Sequence, residues 1–151
     1  MNRPYKLPGQ ASDFDILMNK MIADYMENGF LENIADMFTH DKTLYPMIGE
    51  LLGDERSRVR LGAVALVEML LEKDIDNVVK AIPGIAEVLK NHSPTLRGDA
   101  AYLLGIIGHN DAMPFLTEAL NDENELVRQT IEESVEEIKK KGHLSCYDKS
   151  S

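Results

Sequence analysis

Cysteine is nearly missing from this 151-residue chain: Cys146 stands alone, which excludes a disulfide framework and a CxxC zinc pair. Tryptophan is absent and the aromatics are four Phe and five Tyr, so a stacking platform for single-stranded nucleic acid has little material. Bases are also scarce, with 16 Lys and Arg against 26 Asp and Glu for a formal charge of −10. A chain of that charge is repelled by phosphate backbones, which argues against nucleic acid as a partner. No run of 18 apolar residues occurs, and the first 25 residues lack a cationic start followed by an apolar stretch. Neither a membrane span nor a secretory leader is indicated, and a cytoplasmic setting is the expectation. Missing too are a GxSxG elbow, a phosphate-cradling glycine loop and any Cys-His-rich segment.

What is present is acid, concentrated late in the chain. Residues 98–138 hold ten acids and one base, Arg128, so this stretch alone carries −9. The length suits one domain able to bury roughly 70% of its unfolded-chain surface without a metal or disulfide staple.

Three segments align without gaps, starting at Leu44, Ala81 and Ala112. Pro46, Pro83 and Pro114 share a column; Leu52, Leu89 and Leu120 share another; Asp54, Asn91 and Asp122 form a third and Arg60, Arg97 and Arg128 a fourth. Proline precedes the Asp/Asn column by 8 residues and Arg follows it by 6 in every copy. The copies are spaced 37 and then 31 residues apart, with the six extra residues assigned to the connector around Asp74 to Lys80. Each unit reads as two helices joined by a short turn. Proline near the start of the first helix occupies a position where a missing N–H costs nothing. Leu96, Ala100, Leu103, Leu104 and Ile107 then mark one face of a second helix at 3.6-residue period. Neither helix can hide its apolar stripe alone, so successive units must stack.

The Pro, Asp and Arg columns at this spacing resemble HEAT repeats, of the short bacterial kind grouped with phycobilisome-lyase-type repeats. The resemblance spans residues 44–141 and implies an all-α, right-handed α-α superhelix of about eight helices. It also implies that Asp54, Asn91 and Asp122 sit in the intra-repeat turns and bond neighbouring backbone or the Arg column as a ladder. Asn91 carries no charge, so its rung would be a neutral bond about half as strong as the others.

Ahead of the repeats, Phe14, Leu17, Met18, Met21, Ile22 and Tyr25 recur at helical spacing. They predict an amphipathic helix opened by Ser12 or Asp13 and stopped at Asn28-Gly29. Phe30, Leu31, Ile34, Ala35 and Phe38 predict a second, shorter helix. The expected organisation is an extended segment at 1–11, a divergent capping helix pair at 12–43 with a degenerate fourth repeat as the alternative there, repeats at 44–80, 81–111 and 112–141, and a flexible tail at 142–151.

Counted from its Arg, each second helix turns offsets 3, 4, 7 and 10 to the core and 1, 2, 5, 9 and 12 away from it. Leu61, Met69, Tyr102 and Ile106 therefore fall on the outward face with Asp99, Glu133 and Glu137. Contiguous exposed apolar area on a soluble protein marks an interface. The resembled family uses this face to grip partner proteins, so the expected function is a non-catalytic protein-binding module or small scaffold. Its partner is expected to be a protein with an apolar anchor and basic flanks; self-association through the same strip is a second occupant. A bland alternative is that the face is covered within the fold, and the Glu132, Glu133, Glu136 and Glu137 run also fits solvated capping.

No cofactor or metal is expected. A di-iron hydroxylase of similar fold carries repeated His-Glu dipeptides, whereas the four histidines here precede Asp41, Ser93, Asn110 and Leu144. Cys146, three residues after His143, has no oriented base in a polar tail. The competing reading is a chromophore-lyase-like or other HEAT-type enzyme with unrecognised catalytic groups.

Overall fold

The computed structural model describes residues 12–149; the expected extended segment 1–11 and residues 150–151 lie outside the described residues. Ser12 caps α1 (Asp13–Glu27) by accepting from Asp15 N at 3.1 Å, and Gly29 at φ 89° turns the chain into α2 (Leu31–His40). A 3₁₀ turn (Lys42–Met47) leads into α3 (Ile48–Leu52), followed by α4 (Ser57–Lys73). Next, α5 (Ile75–Val78) continues through the 3₁₀ turn Val79–Ala81 into α6 (Ile82–Val88) and is answered by α7 (Pro94–Ile107). A last 3₁₀ turn (Asn110–Ala112) opens α8 (Met113–Glu118), and α9 (Glu125–Lys149) closes the chain. Taken as rods, these are eight helices in four consecutive pairs, with no strand among the described residues. The second helix α4 packs on α2 and α7, and α7 packs on α9, while the first helices α3 and α6 lie against each other. The chain is an all-α helical solenoid.

Burial follows offsets 3, 7 and 10, whereas offset 4, also expected in the core, is buried only at Ala101; Val64 is half-buried and Glu132 is exposed. Positions 3, 7 and 10 after each Arg are buried in all three repeats: Ala63, Val67 and Leu70; Ala100, Leu104 and Ile107; Ile131, Val135 and Ile138. Offset 6, absent from the expected core, is buried as well, through Leu66, Leu103 and Ser134. Ser134 tolerates this because its hydroxyl donates to the Ala101 carbonyl at 2.7 Å.

Four expectations need correction. The apolar stripe of α1 does not bury as a unit: Ile22, Ala23 and Met26 are inside, whereas Leu17, Met21 and Tyr25 remain exposed. Met26 seats against Gly62, where a Cβ would collide with it, and that contact rolls α1 so that part of its apolar arc faces outward. Phe30 is likewise exposed, its ring edge-on to Tyr25 at 5.4 Å between centroids. The connector Asp74–Lys80 is not a loop; it supplies α5 and the turn after it, lengthening the first helix of the middle repeat. Finally, α9 does not give way to a tail at Gly142 but runs to Lys149. Only Gly29 and Gly108 have positive φ among the described residues. A glycine left in helical geometry costs only about 1 kcal/mol against alanine, too little to end a long helix.

Close approach of the first helices depends on two glycines the repeat columns do not reveal. A Cβ at Gly49 would run into the backbone carbonyl of Gly84, and one at Gly84 would lie 2.6 Å from the Pro46 carbonyl oxygen. Alanine gains up to about 1 kcal/mol of helix propensity over glycine, whereas overpacking against backbone costs about 1–3 kcal/mol. Gly49→Ala is therefore expected to lower stability by about 1–2 kcal/mol in urea unfolding. Gly98, in the middle of α7 with open space around its would-be Cβ, reverses the balance: Gly98→Ala is expected to raise stability by about 0.5–1 kcal/mol. Equal effects at the two sites would refute the close packing of α3 on α6.

Candidate functional site

The turns come first because they aim the second helices. Asp54, Asn91 and Asp122 each accept, through the side chain, the backbone N–H two residues on, at 2.8, 2.9 and 2.9 Å. This is the self-contained turn that Asx side chains form. Arg60, Arg97 and Arg128 each donate back to the carbonyl of that same Asx residue, at 2.8, 2.9 and 2.6 Å. The offset of 6 is thus the reach of an arginine from the first turn of the second helix to the turn that precedes it.

The ladder implied by the resemblance exists as a single rung. Arg97 pairs with Asp122 of the following repeat through two hydrogen bonds, Nε to Oδ2 at 2.8 Å and Nη2 to Oδ1 at 3.1 Å, and both side chains are buried. Arg60 makes no corresponding bond to Asn91; it holds the carbonyls of Asp54 and Glu55 instead. The expected neutral rung is absent because an uncharged acceptor supplies too little attraction to draw the guanidinium across the gap.

Two further polar knots tie the first pairs together and were not signalled by the columns. Arg56 grips Asp54 and also bonds Asp24 and Glu27 on α1, at 2.8 and 2.6 Å. Asp74 receives Lys42 and the hydroxyl of the fully buried Tyr45, both at 2.6 Å, and Asn77 at 2.9 Å. These donors, Lys42 first, hold the Asp74 carboxyl well below the usual carboxylate range. Asp54 and Asp122 are lowered in the same sense by Arg56 and Arg97. Burial, with the bond to Asp74, raises the Tyr45 phenol. A buried tyrosine needs a partner for its hydroxyl, which was the one available hint of this knot.

The strip expected to bind a partner is only partly open. Leu61 and Tyr102 are 70% and 46% exposed. Glu133 and Glu137 are exposed and, with Gln129, Glu132, Glu136 and Lys140, line a shallow acidic surface on α9. Met69 and Ile106 are half-buried and pack against the core, so they support the strip from beneath instead of forming its surface. On the same outward face of α7, three residues before Tyr102, Asp99 is half-buried, with no hydrogen bond or ion pair among the described residues. The positive charge of Arg60 favours the anion. Burial dominates and raises the Asp99 carboxyl above its ordinary value of 3.8. Among the described residues no group of three or more His, Cys, Asp and Glu side chains is gathered as a metal site requires. No described helix is long and apolar enough to cross a membrane.

A family model described as HEAT repeats matches residues 46–136, more than half of the chain. The chain belongs to the HEAT-repeat family. The matched range takes in all three Asx turns and their arginines, and leaves α1 and α2 outside. A curated protein from Aspergillus clavatus named deoxyhypusine hydroxylase is 34% identical over 62 residues, a match covering 41% of this chain and 18% of that protein. The HEAT-repeat chain therefore corresponds to under a fifth of that relative's length.

Two stability consequences follow from these charges. Asp54, Asp74 and Asp122 have lowered folded-state values, so their stabilisation is complete above 3.8 and is lost as pH falls through the folded values. Asp99 has the opposite sign: its ionised form is disfavoured in the fold, so the penalty is present at neutral pH and disappears in acid. Asp99→Asn is expected to raise the urea midpoint at pH 7, with the two proteins converging as pH falls below 3.8; a lower midpoint at pH 7 would show that the carboxylate is compensated. Arg97→Ala strands Asp122 in a buried setting and should cost about 3 kcal/mol. Lys90→Ala removes only an exposed contact to Glu87 at 3.8 Å and should change stability by less than about 0.5 kcal/mol.

Proposed function

We propose that this HEAT-repeat chain is a non-catalytic protein-binding module whose partner lies along the second-helix face, from α4 across α7 and onto α9. The observation that carries the reading is Asp99. A half-buried carboxylate without a partner weakens the fold at neutral pH, and a cation brought from outside would remove that penalty. Leu61 on α4 and Tyr102 on α7 are exposed apolar and aromatic surface, and aromatic anchors dominate binding energy at interfaces. The acidic side of α9 extends the same preference, so the partner combines an apolar anchor with basic flanks. Solenoids suit this work because stacking leaves an extended surface that no single helix pair could supply.

An enzymatic role rests on the short match to the Aspergillus clavatus hydroxylase, without a gathered set of titratable groups to support it among the described residues. Affinity purification from the native host, compared between the natural chain and the double variant Leu61→Asp with Tyr102→Asp, tests the proposal. The double variant is expected to keep its helical circular dichroism and to lose the captured protein. Retention of that protein by a folded double variant would overturn the reading. Capture by the natural chain should also weaken between 50 and 300 mM salt, concentrations chosen to screen exposed charge.

A further inference from the structure

We infer that Asp99 and Tyr102 form a receptor for an arginine side chain of the partner; this rests on the partner-binding reading of the second-helix face. The two residues are three apart on α7 and so share one face of the helix. Asp99 offers two carboxylate oxygens that no described group engages, and Tyr102 offers a ring nearly half exposed. A guanidinium can satisfy both at once, donating in a fork to the carboxylate while stacking its plane on the ring. An ammonium is a compact, strongly hydrated point charge that does one or the other less well. Arg60 does not already fill the place: its guanidinium is held by the carbonyls of Asp54 and Glu55 at 2.8 and 2.7 Å. Arg97 is committed to Asp122 and to the carbonyls of Asn91 and His92. The charge therefore has to come from another molecule, and the acidic residues of α9 favour the approach of a cationic one.

The test uses the full chain, labelled with nitrogen-15 and titrated with Nα-acetyl-arginine amide, Nα-acetyl-lysine amide and Nα-acetyl-citrulline amide. Citrulline keeps the shape of arginine without its charge. The arginine probe is expected to shift the backbone amides around Arg60–Gly62 and Gly98–Leu103 in a saturable way, with at least threefold weaker binding of lysine and none of citrulline. Asp99→Asn, which is expected to fold at least as stably, should weaken the arginine probe at least tenfold. Tyr102→Leu should weaken it and remove the preference over lysine. Equal binding of lysine or citrulline, or shifts centred on the α9 glutamates and unchanged in Asp99→Asn, would overturn the receptor. If the arginine probe fails while the Leu61→Asp, Tyr102→Asp variant still loses its captured protein, the binding face stands and the arginine receptor falls. If that variant keeps its protein, the face itself is wrong.

Discussion

Everything downstream of residue 44 depends on a hydrogen bond repeated three times, from an arginine in the first turn of a second helix to the carbonyl of the Asx residue in the turn before it. The Asx side chain closes the turn locally and the arginine locks the helix that follows onto it. With the angle between the two helices of each pair fixed this way, offsets 3, 6, 7 and 10 of all three second helices point into the stack. The apolar side chains there could bury themselves against many neighbours, since hydrophobic attraction has no direction. Directional bonds at the turns select one arrangement among those alternatives. Arg97 adds a second function, because its other nitrogens reach Asp122 and couple the last two repeats in a buried, bidentate pair.

Coupling between the earlier units is different in kind. With Asn91 in place of an acid, no rung joins Arg60 to the next repeat, and contact there falls to the first helices. Gly49 and Gly84 let α3 and α6 meet backbone to backbone, an approach that any side chain would prevent. The Asp74 knot then anchors the end of α4 to the start of its own repeat through Lys42 and Tyr45. Three repeats of one family are thus joined by an ion pair at one junction and by steric closeness at the other.

The Asx and Arg columns were legible because the turn bonds behind them span only two and six residues, so fixed spacing records them directly. Core offsets 3, 7 and 10 were legible because burial on one helix recurs at the helical period; offset 6 was hidden by Ser134, a polar name, and offset 4 failed at half-buried Val64 and exposed Glu132. What distance in sequence hides is of another sort. Arg56 meets Asp24 and Glu27 about thirty residues away, and Asp74 meets Tyr45 across a comparable gap; neither contact leaves a periodic trace. The orientation of α1 escaped because Phe14, Leu17, Met18, Met21, Ile22 and Tyr25 cover a wider arc than one neighbour can bury. Contacts from α4 and the residue before it, Gly62 with Met26 and Arg56 with Asp24 and Glu27, go with the part that lies inside. Met69 and Ile106 failed as surface residues because adjacent second helices lie close enough to cover the flanks of the outward face, leaving its crest to Leu61 and Tyr102.

That crest is where the fold departs from its own logic. Elsewhere each buried or half-buried charge of the turns has an assigned partner: Asp54 has Arg56, Asp74 has Lys42 and Asp122 has Arg97. Asp99 has none, and its neighbour Arg60 is engaged with the Asp54 and Glu55 carbonyls. A neutral residue in its place would relieve the desolvation at no cost to any visible bond. Stability alone therefore does not account for a carboxylate at this position. Local rules are broken most often where a protein meets something else, so the lone anion and the exposed ring that share one face of α7 support the proposed binding face.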